Sequence, residues 1–308
     1  MSDFTSAKTS HRHGVISVLV ALPFVSLTGL FGKFLTFSPL LIVQGRTVFA
    51  FGALLLALFF LRKKIFFSDF REWLWLALSG SILGVHWIAF FQAIQVSTVA
   101  IGLLSFASYP LFTTLLEPLF FREPLRVRNV FAALIVISGL TLMATSSSDD
   151  SNTIISGSVF HGILWGLMAG FGFAVLTLLN RGHVRKHSAL LITCWQNGFA
   201  ALVILPWSIF ESWIFSGKEL GLLFLLGVVC TVGGHTLLIN GLRHVRAQVA
   251  SLLIAGLEPV FAILFALFLL GEVPSLQTLL GGVLIISTTV FIIYGTEQKE
   301  IPEQAVSK

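Results

Sequence analysis

Two ionisable side chains stand inside long apolar runs, and each can do chemistry there. Arg46 lies seven residues into the run that begins at Pro39, and Glu258 about ten residues into the run that begins near 248. At about 1.5 Å of helical rise per residue these depths are roughly 10 Å and 15 Å. A charge that deep in a hydrocarbon layer is costly and marks a functional position by default. Arg46 keeps its charge, so it needs a carboxylate, carbonyls or water. The carboxylate of a bound molecule would serve, and snorkelling to the nearer surface is the alternative. Glu258 can exchange a proton or meet an amine; a protonated carboxyl bonded to a facing helix is the alternative. Pro259 beside it and Pro110 beside Tyr109 each remove a helical hydrogen bond, so both are expected hinges.

Further polar and aromatic residues join these as candidates. Tyr109 offers a ring to stack on a bound molecule and a hydroxyl to bond it. Gln44, Gln196 and Asn197 sit on runs that pair in the repeat described below, and are expected to line a central cavity. Trp87, Trp165 and Trp195 lie away from the run ends, unlike Trp73, Trp75, Trp207 and Trp213, which suit an interfacial belt. They are expected to form an aromatic wall, with core packing as the alternative. His86, His235 and Glu117 are the expected gates, or ties between neighbouring helices.

The elements that must position these residues follow from composition. Of the 308 residues 56% are hydrophobic and 11% charged, with 30 Phe, and the mean hydropathy is +0.94. A soluble domain carries about a quarter charged residues, so a soluble enzyme and a nucleic-acid binder are excluded. Apolar runs fall at about 14–32, 39–61, 72–91, 98–120, 127–144, 158–180, 188–210, 219–242, 248–270 and 275–294. Backbone in lipid must satisfy its own hydrogen bonds, and runs of this length do so as helices. The fold class is therefore all-α multipass membrane protein with ten transmembrane helices. Sixteen of the nineteen Lys and Arg fall in alternate connections, two (Lys33 and Lys218) in the other set, and Arg46 inside a span. That asymmetry places both termini in the cytoplasm of a cell (inner) membrane. The first run is too long for a signal-peptide core and is expected to stay in place. Cys194 and Cys230 lie in apolar runs and are expected as buried thiols.

The chain repeats itself. At a displacement of 149 positions residues 86–138 match 235–287 without a gap, pairing His86 with His235, Pro110 with Pro259 and Glu123 with Glu272. Displacements of 148 and 150 pair His13-Gly14 with His161-Gly162 and Phe49-Ala50 with Phe199-Ala200. Each half holds five helices, and five is odd, so the second half is inverted in the membrane. Inverted repeats characterise secondary transporters, with the site at the midplane between the halves. The expected divisions are a cytoplasmic tail at 1–13, repeats at 14–144 and 158–294, an external linker at 145–157 and a tail at 295–308.

Leu257-Glu258-Pro259-Val260-Phe261-Ala262, the run to Leu270-Gly271-Glu272, and Gly281-Gly282 resemble the end of an EamA-type repeat of the drug/metabolite transporter superfamily. Tyr109-Pro110-Leu111-Phe112 and Arg122-Glu123 make a weaker copy, with Tyr109 where the second half has Glu258. The helix from Pro39 through Gln44-Gly45-Arg46 is similar to that family's arginine-bearing helix. The resemblance covers nearly the whole chain and implies a multipass carrier, commonly an exporter of amino acids or related metabolites.

An intramembrane hydrolase is the competing class. No His is followed by Glu, the four Asp fall in tails or loops, and no Gly-x-Ser-Gly or Walker-type loop occurs. The expectation is a secondary transporter and no enzyme, without metal or cofactor, exporting an amino acid by alternating access. Uptake or exchange of a larger anionic or nucleoside-like metabolite is the alternative. The expected partners are a small-molecule substrate and the lipid bilayer, with no nucleic acid and a homodimer left open.

Overall fold

The computed structural model of the chain describes residues 2–121, 127–144, 157–184, 186–245 and 247–297. All regular structure among these residues is helical, arranged as ten rods. The first half supplies α1 (Ser2–Phe34), α2 (Pro39–Phe60), α3 (Phe70–Val96), a broken rod of α4 (Val99–Phe106) and α5 (Tyr109–Phe121), and α6 (Val127–Ala144). The second half supplies α7 (Gly157–His183) and α8 (Ala189–Ser208). Next comes α9 (Gly217–Leu225), which runs through a π-helical stretch, Leu226–His235, into α10 (Thr236–Leu242). The rods α11 (Ala247–Leu270) and α12 (Leu276–Glu297) complete the half. Among the described residues eight helices are long and apolar enough to cross a membrane; α6 and α12, which pack on each other, bring the rods to the expected ten. Large apolar side chains such as Phe60, Phe210 and Phe268 face outward, where lipid would cover them.

Local chemistry sets the rod starts. Ser38 caps α2 with Pro39 at its first position, Asp69 caps α3, and Ser188 caps α8. Ser216 and Glu219 form a capping box at α9. Helix α1 is already helical at Ser2, so residues 2–13 prolong it instead of forming the expected loose tail. Of the expected linker, residues 145–156 lie outside the described residues, as do the tail residues beyond 297.

The rods pack as two pseudo-symmetric halves. Every major contact has its mirror: α3 on α7 answers α1 on the π stretch and α10, and α7 on α4 and α5 answers α11 on α1. Three pairs, α2 with α8, α4 with α11 and α6 with α12, are their own mirrors. Glycine makes the close crossings, as small residues do in membranes. A Cβ on Gly80 would stand 2.6 Å from the Phe199 Cβ and 2.8 Å from the Gln196 carbonyl oxygen. A Cβ on Gly227 would stand 2.7 Å from the Phe49 Cβ and 2.8 Å from the Arg46 carbonyl oxygen.

The mirrored contacts also locate an insertion. Asp69, Glu72 and Gly80 recur as Ser216, Glu219 and Gly227, each 147 positions on, whereas His86 recurs as His235, 149 on. The second half thus has two extra residues between its glycine and its histidine, and the π-helical stretch absorbs them. Such wide turns recur at functional sites.

The two ends are tied in mirrored fashion too. At the α3 start, Glu72 Oε2 lies 3.2 Å from His183 Nε2 and 3.4 Å from His187 Nε2. At the opposite end Glu219 accepts a 2.7 Å hydrogen bond from Thr36 Oγ1. Each tie joins the two halves across one face of the molecule.

Candidate functional site

A cavity of about 60 Å³ lies where the halves meet, walled by α1, α2, α3, α4, α7, the π stretch, α10 and α11. Arg46, Glu258, His86, His235 and Trp87 all line it. The volume holds a few waters; a metabolite needs the helices to part. Arg46 is 2% exposed. Its Nε and Nη2 donate to Thr231 Oγ1 at 3.1 and 2.9 Å, and that hydroxyl donates to the Leu226 carbonyl at 2.8 Å. The guanidinium carbon lies 3.6 Å from the Trp87 ring centroid, a cation–π stack. Its Nη1 is buried with no hydrogen-bond partner, and no carboxylate pairs with it among the described residues. The arrangement suits an anionic group on a small ligand, because an arginine fork already desolvated and stacked lacks only its counter-charge.

Glu258 is 5% exposed and reaches the same cavity from α11. Its backbone carbonyl accepts from Ser26 Oγ at 3.2 Å, which ties α11 to α1. His86 meets the Ala169 carbonyl through Nδ1 at 2.8 Å. A carbonyl only accepts, so Nδ1 carries the proton there. His235 stands edge-on to Trp87, with ring centroids 5.6 Å apart.

The expected residues divide. Arg46, Trp87, His86, His235 and Glu258 come together. Gln44 is buried on α2 but does not line the cavity. Neither does Tyr109, which packs on Phe106 and Phe173 at 5.2 and 4.9 Å. Gln196 donates to Asn180 at 2.6 Å, and Asn197 back to Thr193 on its own helix at 2.8 Å. Trp165 packs against the core outside the cavity. Trp195, expected deep, meets the belt residue Trp73 edge to face with ring centroids 4.5 Å apart and donates to the Ile65 carbonyl at 2.7 Å. Its place near the α8 start brings it to the α2–α3 loop, so it forms no cavity wall. The histidines, expected as gates, line the central cavity, while the contacts of Glu72 and Glu219 lie toward the two ends. The side chain of Glu117 lies outside the described residues.

The two prolines act differently. The fourth rod breaks between Phe106 and Tyr109, where Pro110 cannot donate, so a break in the helix marks the first expected hinge. Helix α11 runs unbroken through Pro259, so no break marks the second expected hinge. Cys194 and Cys230 are free and buried, and Cys230 lines the cavity. Sequence reasoning missed Thr231, Phe106 and Phe173. Thr231 had one signal, a hydroxyl in mid-span two residues before Gly233-Gly234; the two Phe had none among 30.

Comparisons with known proteins agree with this architecture. The sequence profile of the EamA-like transporter family matches residues 12–145 and 160–294. An uncharacterized transporter, YxxF, of Bacillus subtilis (strain 168) is 27% identical over 209 residues, 67% of this chain. The match spans 65% of that relative's length, just under two thirds. A protein named S-adenosylmethionine uptake transporter, of Rickettsia prowazekii (strain Madrid E), is 31% identical over 208 residues, 67% of this chain and 66% of its own. One crystal structure superposes with a TM-score of 0.65 over 96% of this chain and 99% of its own, at 16% identity. That likeness concerns the fold alone.

Proposed function

The chain belongs to the EamA-like transporter family of multipass membrane proteins, and from that premise we propose that it carries a small metabolite bearing an α-amino-acid group, by alternating access. The observation that supports this cargo is the pairing of Arg46 and Glu258 in one central cavity, where Arg46 has an unmet Nη1 and no ionic partner. Arg46 would take the carboxylate. Glu258 would take the amine, or the proton that drives transport. The repeats 14–144 and 158–294 would rock about this site, each end opening as its Glu72 or Glu219 contact parts, with both termini on the cytoplasmic side. The helix break at Pro110 gives that motion a place to bend. The expected export is not carried into this reading, which assigns no direction, because relatives are named for uptake.

A second cargo, a larger nucleoside-bearing amino acid such as S-adenosylmethionine, is favoured by the names of those relatives. It needs a much wider cavity but would use the same carboxylate site. The test is counterflow in proteoliposomes loaded with a labelled amino-acid pool, challenged with unlabelled amino acids, S-adenosylmethionine, nucleosides and amines. Exchange with amino acids or with S-adenosylmethionine, and not with nucleosides or amines lacking a carboxylate, is the expected result. Exchange driven equally well by amines or nucleosides lacking a carboxylate would overturn the carboxylate assignment.

A further inference from the structure

The insertion in the second half falls beside Arg46, and its consequence is specific. An arginine fork has two edges able to grip a planar anion: a side-on edge of Nε and Nη2, and an end-on edge of Nη1 and Nη2. Thr231 Oγ1 takes both donors of the side-on edge, at 3.1 and 2.9 Å. The Trp87 ring covers one guanidinium face. What remains is the end-on edge, where Nη1 is buried and unmet. Thr231 is itself held by its bond to the carbonyl of Leu226, five residues back, the spacing that a π-helix brings into line. In the first half the residues at the two mirrored registers are Ile82 and Gly84, neither of which has a hydroxyl. There the counterpart of Arg46 is Gln196, which bonds Asn180 instead.

We infer that Thr231, carried by the two-residue insertion, is the positioning residue that holds Arg46 side-on and commits its end-on edge to the carboxylate of the transported molecule. The inference rests on the proposed carboxylate-bearing cargo for its selectivity, but the geometry of Arg46 stands apart from any cargo. The hold crosses between the halves, from the π stretch of the second to α2 of the first, and it assigns carboxylate selectivity to a residue that does not line the cavity.

The test compares Thr231→Val, which keeps the shape, with Thr231→Ser, which keeps the hydroxyl. Both are reconstituted as the full chain after their melting temperatures are checked. In counterflow, Thr231→Val should raise the half-saturation concentration of an amino acid by about tenfold or more, the weight of a hydrogen bond to a charged group. Its effect on the methyl ester of the same amino acid should be much smaller, and Thr231→Ser should restore the acid. Equal shifts for acid and ester, or a Val variant that matches wild type, would overturn the inference. A second arm needs no substrate: phenylglyoxal labelling of Arg46, followed by peptide mass spectrometry. Faster labelling in the Val variant but not in the Ser variant supports the side-on hold, and equal rates in all three proteins overturn it. Failure of wild type to exchange any amino acid would remove the cargo while leaving this second arm decisive for Thr231.

Discussion

Replacing Gly227 by Ala perturbs the crossing of α2 with the π stretch and can be worked from the structure. The new methyl carbon would stand 2.7 Å from the Phe49 Cβ, 2.8 Å from the Arg46 carbonyl oxygen and 3.3 Å from the Ala50 nitrogen. Ordinary carbon contacts lie at about 3.5–4.0 Å, so the helices must separate by roughly 1 Å. Two of the three obstacles are backbone atoms, which no rotamer change removes. Overpacking of this kind costs about 1–3 kcal/mol, against a helix-propensity gain of up to about 1 kcal/mol. The net expectation is a loss of about 1–2 kcal/mol, or a few degrees in melting temperature. The same displacement stretches the bonds from Arg46 to Thr231, so affinity for a carboxylate falls as well. Gly80→Ala makes the mirrored clash, 2.6 Å from the Phe199 Cβ, but leaves the Arg46 crossing alone. It should lower stability without the loss of affinity. Gly221→Ala meets nothing within 4 Å and is the control. The assay is thermal unfolding of purified protein in detergent, followed by counterflow at a temperature where all variants are folded. A Gly227→Ala protein that melts no lower than Gly221→Ala would refute the close crossing. An equal loss of affinity in Gly80→Ala would refute the link to Arg46.

Three further outcomes are expected. Arg46→Lys keeps the charge but not the planar fork, so the half-saturation concentration for a carboxylate cargo should rise by about tenfold or more; an unchanged saturation curve in counterflow would take the guanidinium out of binding. Glu258→Gln keeps shape but cannot ionise, so counterflow should survive while the response to an imposed pH gradient disappears, and a retained response would remove Glu258 from coupling. Glu72→Gln should lower the melting temperature by the equivalent of less than about 1 kcal/mol. High salt should shrink that difference. Glu219→Gln keeps one oxygen that accepts from a hydroxyl, and its Thr36 and Ser216 partners are neutral, so salt should change its effect less; a larger salt response in Glu219→Gln would contradict the contrast between the ends.

The sequence by itself determined the class of the molecule, its ten rods and their pairing in two halves. Hydropathy and run length are local quantities, and lipid leaves the backbone of such a run no choice but a helix. It also singled out Arg46 and Glu258, because depth along a helix is only a count of residues multiplied by a rise. Direction around the helix is a different matter. Successive residues turn by about 100°, so Gln44, two before Arg46, faces away from the cavity that Arg46 lines. Likewise Gln196 and Asn197 satisfy themselves on Asn180 and Thr193. Tyr109 and Glu258 match in the repeat, yet one lies at a helix break and the other on an unbroken rod, since neighbours decide whether a missing proline donor opens the chain. The gathering of Arg46, Trp87, His86, His235 and Glu258 into one cavity belongs to tertiary structure, because it needs the crossing of helices from both halves. So does the role of Thr231: two extra residues widen the turns of one helix, rotate its hydroxyl onto Arg46, and leave a single edge of the guanidinium free.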